Sequence, residues 1–353
     1  MTLTLPHIPA LDSAATDAAA ARLDQLTKPQ GSLGLLEALA VRLAGIQRRA
    51  LPSLERKLVV VAAADHGITA QGVSAYPSEV TGQMVRNFLA GGAAINVLAR
   101  AAGADILVVD AGIKQPIADV RIVDMRMGAG TADFSREPAM SRVTAEEALA
   151  RGIDFGRRSE GYGVIACGEM GIGNTTAASA VAAALLGLRA ADVTGPGTGV
   201  SIDAVAAKRA VIDAALALHR PDPSDAVDVL SKVGGFEIAV LAGIMIGAAS
   251  MRRVVVVDGV ISGAAALAAA RLVPECVDYM VAAHLSTEPG HAFILSDLGL
   301  SPLLDLNLRL GEGTGAALAL PILDAACRIL SEMATFEEAA VSGRSAGEGP
   351  GLE

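Results

Sequence analysis

Five short runs are apolar at every position, where a half-exposed strand would be apolar at every second one: Leu58–Val61, Ile106–Val109, Val164–Cys167, Val254–Val257 and Tyr279–Ala282. A strand with one wet face alternates. One that is apolar throughout is buried on both faces, the situation of a strand inside a parallel sheet covered by helices. Ala- and Leu-rich helical segments separate the runs, so the pattern predicts an α/β fold with a mostly parallel sheet flanked by helices. Low charge (19%), 38 glycines and alanine stretches such as Ala264–Ala270, broken only by Leu267, fit helices packed tightly on that sheet. No 20–50-residue repeat is present.

Both chain ends read differently. Residues 11–50 are helical by pattern, with Leu36, Leu39, Leu43 and Ile46 at spacings that share one helix face. The turn Thr27-Lys-Pro-Gln-Gly-Ser32 interrupts them. A C-terminal helix is expected around Ala325–Ala340, followed by a loose Gly- and Ser-rich tail from Ser342 to Glu353.

Several function classes are disfavoured. A net charge of −10 (28 basic against 38 acidic residues) opposes a phosphate-backbone binder, so no nucleic-acid partner is expected. Cys167, Cys276 and Cys327 lie far apart, with no Cys-x-x-Cys pair to build a disulfide framework or a zinc site. Met1–Ala10 carries no export signal, and the longest strongly apolar stretch, Ile238–Met251, falls short of a bilayer span. The expectation is a cytoplasmic protein without a membrane partner.

Polar or glycine residues follow the apolar runs: Asp65-His66-Gly67, Asp110-Ala111-Gly112, Gly168-Glu169-Met170, Asp258-Gly259, and His284 onward. In an open parallel sheet, ligands sit outside the carboxyl ends of the strands, so these ends predict one shared crevice. The bland alternative at each position is a cap for the next helix.

Three glycine loops carry the chemistry. Gly168-Glu-Met-Gly-Ile-Gly-Asn-Thr-Thr176 nearly matches a P-loop, but Asn174 stands where the lysine must be, and the third dinucleotide glycine is missing. A backbone cradle at a helix start remains. Thr194-Gly-Pro-Gly-Thr-Gly199 is either a flexible loop or a phosphate site in which Gly197 and Gly199 approach the ligand and Lys208 supplies charge. In Gly311-Glu-Gly-Thr-Gly315, Glu312 stands between residues that let a ligand come close; an exposed acid in a turn is the alternative. His66, His284 and His291 lack metal-ligand spacing, so no metal site is expected. The single Asp258 after Val254–Val257 also lacks the adjacent acid usual in Mg²⁺-dependent transferases that use pyrophosphorylated ribose.

Six segments in register resemble a known family, the nicotinate-nucleotide–dimethylbenzimidazole phosphoribosyltransferases of cobalamin nucleotide-loop assembly. They are Leu26-Thr-Lys-Pro-Gln-Gly-Ser-Leu-Gly34, Ala64-Asp-His-Gly67, Gly168–Thr176, Gly234-Gly-Phe-Glu-Ile238, Ala283-His-Leu-Ser-Thr-Glu-Pro-Gly-His291 and Arg309-Leu-Gly-Glu-Gly-Thr-Gly315. Thr194–Gly199 departs from the pattern, with Pro196 where a basic residue is expected. The resemblance implies a Rossmann-like large domain over 51–324, a smaller helical domain from 1–50 plus 325–353, and a homodimer. It implies transfer of phosphoribose from nicotinate mononucleotide to 5,6-dimethylbenzimidazole, inverting C1′ and giving α-ribazole 5′-phosphate and nicotinate, with no cofactor. Glu312 matches the family's base. From the stretch Gly72–Gln83, Tyr76 and Gln83 are placed near the benzimidazole together with Met170, with packing as the equal alternative for Tyr76; the resemblance puts Glu169, Gly171 and Asn174 near nicotinate, and Lys208 and Ser286 near the phosphate. Asp258 is either a ribose contact or a helix cap. The competing reading is a non-catalytic nucleotide- or base-binding protein on the same fold.

Overall fold

The computed structural model describes residues 3–197, 199 and 201–342; the Gly- and Ser-rich tail expected beyond Ser342 lies outside them. Six strands, β1 (Lys57–Ala64), β2 (Ala104–Gly112), β3 (Ile122–Asp124), β4 (Val164–Met170), β5 (Val254–Val257) and β6 (Met280–Ala282), form one parallel sheet in the order β3-β2-β1-β4-β5-β6. Lys57 of β1 pairs with Ala104 on one side and Val164 on the other. The strand order therefore reverses between β1 and β4, where the crevice of a doubly wound sheet opens.

Every residue of β1 and β5 is buried, as runs without alternation require. Burying each valine of such a strand contributes roughly 1.5–3 kcal/mol. The helices get close with little aromatic filling because glycines face each other. Gly152 and Gly156 of helix Arg142–Arg158 oppose Gly243 and Gly247 of helix Phe236–Ser250. A Cβ on Gly152 would collide with the Val240 carbonyl oxygen, and one on Gly243 with that of Leu149.

Some boundaries differ from expectation. β1 runs on through Ala62-Ala63-Ala64 and β4 through Gly168-Glu169-Met170, residues that keep strand geometry without being β-branched. Tyr279 ends a 3₁₀ turn, Pro274–Tyr279, instead of starting β6. The C-terminal helix spans Thr314–Glu332 and stops short of Ala340; Thr335 forms an antiparallel bridge to Leu26 instead. By length and composition that helix could cross a bilayer, but 56% of its apolar window is buried and it contains Pro321.

The chain divides into two compact units. One comprises Glu55–Leu320 with the chain start up to Ala10; the other comprises Leu11–Leu54 with the chain from Pro321 onward. The first ten residues thus go with the sheet, not with the helical segment expected from residue 1. The reason is local: the Tyr279 hydroxyl donates to the Pro9 carbonyl at 2.7 Å and the Arg252 guanidinium to that of Ala10 at 2.8 Å. In the second unit, Asp12 caps helix Ser13–Gln25 through the Ala15 amide, and Lys28 pairs with Glu37 at 2.9 Å.

Candidate active site

The carboxyl ends of β4, β5 and β6 surround a cavity of about 700 Å³. Its floor is the loop after β4. Gly173, in a left-handed conformation (φ 96°), turns the chain into helix Asn174–Leu186, and the Asn174 amide donates to the Glu169 carboxylate. Glu169 is buried. That burial, with the charges of Asp258, Glu237 and Glu312, pushes its pKa up to about 8 against the opposing Asn174 hydrogen bond.

Glu312 overhangs this floor on a strained loop. Gly311, Glu312 and Gly313 all have positive φ (83°, 63° and 87°), a conformation that costs a residue with a Cβ. Asp258 holds the loop: its two carboxylate oxygens accept from the Gly313 amide at 3.3 Å and the Ala316 amide at 2.8 Å. Close approach needs glycines on both sides. A Cβ on Gly168 would strike the Glu312 carbonyl oxygen, and one on Gly311 the Glu169 carboxylate. The Glu312 carboxylate is buried, which raises its pKa. It accepts from the Ile95 amide at 3.3 Å, in the first turn of helix Ala94–Ala102, which favours the ionised form, while Asp258 adds to the rise. A buried carboxylate so held can accept a proton from a ligand in the cavity.

The opposite wall is polar. The Glu288 carboxylate accepts from the Gly197 amide at 2.8 Å, and Arg309 donates to the Gly197 carbonyl at 3.2 Å. Lys208 stands behind Thr175 and Gly197, its ammonium donating to the Thr175 hydroxyl at 2.8 Å. Its side chain is almost completely buried, which lowers its pKa to about 8 although Glu288 opposes the shift. The Ser286 amide donates to His291 Nδ1 at 3.0 Å; burial, aided by His284, lowers His291 to about 3 and keeps it neutral.

Of the residues singled out from sequence, Glu312, Glu169, Met170, Gly171, Asn174, Gly197, Ser286 and Tyr76 line the cavity together. Four stand elsewhere. Lys208 is one layer behind the wall. Gly199 is exposed outside the lining. Gln83 is exposed on helix Glu79–Ala90, where Val80 and Met84, one turn apart, take the face toward the cavity. Asp258, 1% exposed, sits under the Glu312 loop with both oxygens bonded, so it serves as the helix cap and not as part of the cavity wall.

Sequence reasoning gave no role to Glu288, Arg309 or Thr175. Glu288 and Arg309 lie inside segments that carry the family resemblance, but only the fold of the Gly197 loop shows that both hold it. Among the described residues, no group of three or more His, Cys, Asp or Glu side chains is placed to hold a metal ion.

A family model described as a phosphoribosyltransferase matches residues 8–341. The nicotinate-nucleotide–dimethylbenzimidazole phosphoribosyltransferase of Roseiflexus sp. (strain RS-1) is 57% identical over 344 residues, covering 97% of this chain and 98% of that protein. The protein of the same name from Chloroflexus aggregans (strain MD-66 / DSM 9485) is 56% identical over 345 residues, covering 97% and 98%. The crystal structure of the correspondingly named protein from Thermus thermophilus superposes with a TM-score of 0.90 at 48% identity, covering 95% of this chain and 100% of that one. With the parallel sheet and the glycine loops at its strand ends, these matches make the chain a transferase that belongs to the nicotinate-nucleotide–dimethylbenzimidazole phosphoribosyltransferase family.

Proposed function

We propose that the protein moves the 5-phosphoribosyl group from nicotinate mononucleotide to 5,6-dimethylbenzimidazole with inversion at C1′. The products are α-ribazole 5′-phosphate and nicotinate, as cobalamin nucleotide-loop assembly requires. The observation that carries this reading is Glu312: a buried carboxylate at a large cavity, kept on strained backbone between two glycines and tied down by Asp258.

The chemistry follows from the leaving group. Nicotinate on ribose is a pyridinium, so the C1′–N bond breaks with its electron pair returning to nitrogen, and the ring departs without charge on that nitrogen. The acceptor's imidazole nitrogen attacks C1′ from the opposite face, and the new bond makes the imidazole cationic. Its other N–H becomes acidic and Glu312 takes that proton. The same carboxylate stabilises the positive charge growing on the acceptor, where little water screens it.

The walls support a division of the cavity. Val80, Met84, Met170, Ile172 and Tyr76 offer the apolar face that a flat, poorly polar ring requires. Glu169, Gly171 and Asn174 take the nicotinate half. Ser286, the Gly197 loop, Arg309 at the rim and Lys208 behind it take the phosphate. A homodimer is the working form this reading carries, to be checked by light scattering. The direct test mixes nicotinate mononucleotide with dimethylbenzimidazole and follows both products. Stoichiometric nicotinate and α-ribazole 5′-phosphate are expected; binding of both ligands with no nicotinate release would overturn the proposal.

A further inference from the structure

Two of the six segments that carry the family resemblance, Ala64–Gly67 and Gly234–Ile238, supply no group that touches a substrate in the mechanism above, apart from the charge by which Glu237 helps to raise Glu169, yet they meet in the core. His66 Nε2 lies 2.7 Å from Glu237 Oε1, and neither side chain has any exposed surface. Among the described residues, His66 Nδ1 and Glu237 Oε2 have no hydrogen-bond partner, so this is the one side-chain hydrogen bond of either residue. Burying such groups is costly, and a single bond between them makes their relative placement strict.

The imidazole lies between two glycine-bearing backbones. On one side is the loop after β4: a Cβ on Gly171 would strike the Ala64 carbonyl oxygen at 2.4 Å and come to van der Waals contact, 3.4 Å, with the ring's Nε2, and one on Gly173 would lie 2.9 Å from Thr69 Cγ2 and 3.2 Å from His66 Cβ. On the other side is the start of helix Phe236–Ser250: a Cβ on Gly235 would lie 2.5 Å from His66 Cε1 and 2.7 Å from Glu237 Oε2. Gly171 and Gly173 belong to the segment 168–174, the end of β4 with the loop after it and the first residue of helix Asn174–Leu186, which presents Glu169, Gly171 and Asn174 to the cavity.

We propose that the buried His66–Glu237 pair is a positioning device: it fixes the imidazole under Gly171 and Gly173 and so sets the loop 168–174 for the mononucleotide, without touching either substrate. Glu237 holds the ring, the ring holds the loop, and the loop holds Glu169 and Asn174 at the nicotinate half of the cavity. The same segment also touches the acceptor side: it carries Met170 and Ile172, its Ile172 amide donates to the Thr81 hydroxyl of helix Glu79–Ala90 at 3.1 Å, and its Gly168 meets the Glu312 loop, whereas Val80, Met84 and Tyr76 stand on other elements. The inference rests on the assignment of the 168–174 loop to nicotinate mononucleotide, and its test separates the two ideas.

The experiment uses the full chain and measures two things in Glu237→Ala and Glu237→Gln: amide hydrogen exchange over residues 168–174 without substrates, and KM for each substrate. Glu237→Ala is expected to speed exchange in that loop. It should raise KM for nicotinate mononucleotide about tenfold and KM for dimethylbenzimidazole by a clearly smaller factor, because Val80, Met84 and Tyr76 of the acceptor face lie outside the segment. Glu237→Gln keeps an oxygen for the ring N–H and should restore both readouts most of the way. Should the alanine variant fail to fold, Glu237→Asp, shorter by one methylene, is expected to give the same split at smaller amplitude. Unchanged exchange over 168–174 in the alanine or aspartate variant would overturn the positioning role whatever the kinetics show, as would an equal rise of both KM values. Faster exchange in a protein whose wild type does not use nicotinate mononucleotide would sustain the positioning role and sink the substrate assignment instead.

Discussion

Glu169, at the end of β4, and Glu312, on the loop beside it, are the same residue type at one cavity, both buried, and their surroundings push them to different degrees. Glu169 faces the charges of Asp258, Glu237 and Glu312, with only the Asn174 amide in opposition, and keeps its proton up to about 8. Glu312 is raised by burial and by Asp258, but it has the Ile95 amide at the positive end of a helix drawing it toward the ionised form. One cavity therefore holds a carboxylic acid that can donate a hydrogen bond at neutral pH beside a second carboxyl group whose upward shift a helix-end amide opposes. Surroundings that treat two like groups differently mark out acid and base roles.

The largest expected effect removes one side of this pair. Glu312→Gln keeps the shape and loses the basic oxygen. Nicotinate release should fall by roughly 10²–10⁴-fold while thermal melting stays near wild type; turnover close to wild type would end the role assigned to Glu312. Gly168→Ala attacks the contact between the loops, because the added Cβ meets the Glu312 carbonyl. A displacement of about 1 Å at a reacting group costs on the order of 10²-fold, and that loss is expected in kcat with the acceptor's affinity little changed.

Lys208→Ala is predicted to weaken mononucleotide binding about tenfold by calorimetry, from the ~1.5 kcal/mol low end for a hydrogen bond to a charged group, with benzimidazole affinity intact. The pH dependence sharpens the comparison further. As pH rises through about 8, Glu169 loses its proton and becomes negative while Lys208 loses its positive charge. Both changes disfavour an anionic ligand, so KM for the mononucleotide should climb above that pH. Glu169→Gln mimics the protonated acid and leaves only the Lys208 contribution, so the climb should be shallower; an identical climb would remove Glu169 from it. Gln83→Ala, exposed on helix Glu79–Ala90 and off the cavity wall, should change either KM by less than about twofold in steady-state assays.

The sheet was legible because most of its strands carry a run buried on both faces and therefore apolar at every position, though in β2 Ile106 and Leu107 of that run are only partly buried. β3 was not, since Ile122–Asp124 is three residues of half-exposed edge with no run to detect. Glu312 could be read from its glycines, which announce a backbone that must come close to something. Asp258 could not be decided, because a carboxylate after a strand looks the same whether it meets a ribose or two amides. Glu288, Arg309 and the His66–Glu237 pair were invisible in their roles for a common reason. Each acts on a segment far away in sequence: Glu288 on Gly197, 91 positions off, and His66 on Glu237, 171 positions off. No local spacing carries such a pairing, whereas the motifs that place the cavity are local and were found.

The most direct test is a crystal structure with dimethylbenzimidazole bound. The account predicts one ring nitrogen within hydrogen-bond reach, about 2.6–3.2 Å, of a Glu312 carboxylate oxygen, with the other nitrogen open toward the ribose side of the cavity. A ring whose nitrogens both face solvent or other side chains, with the Glu312 oxygens turned away from it, would contradict the account.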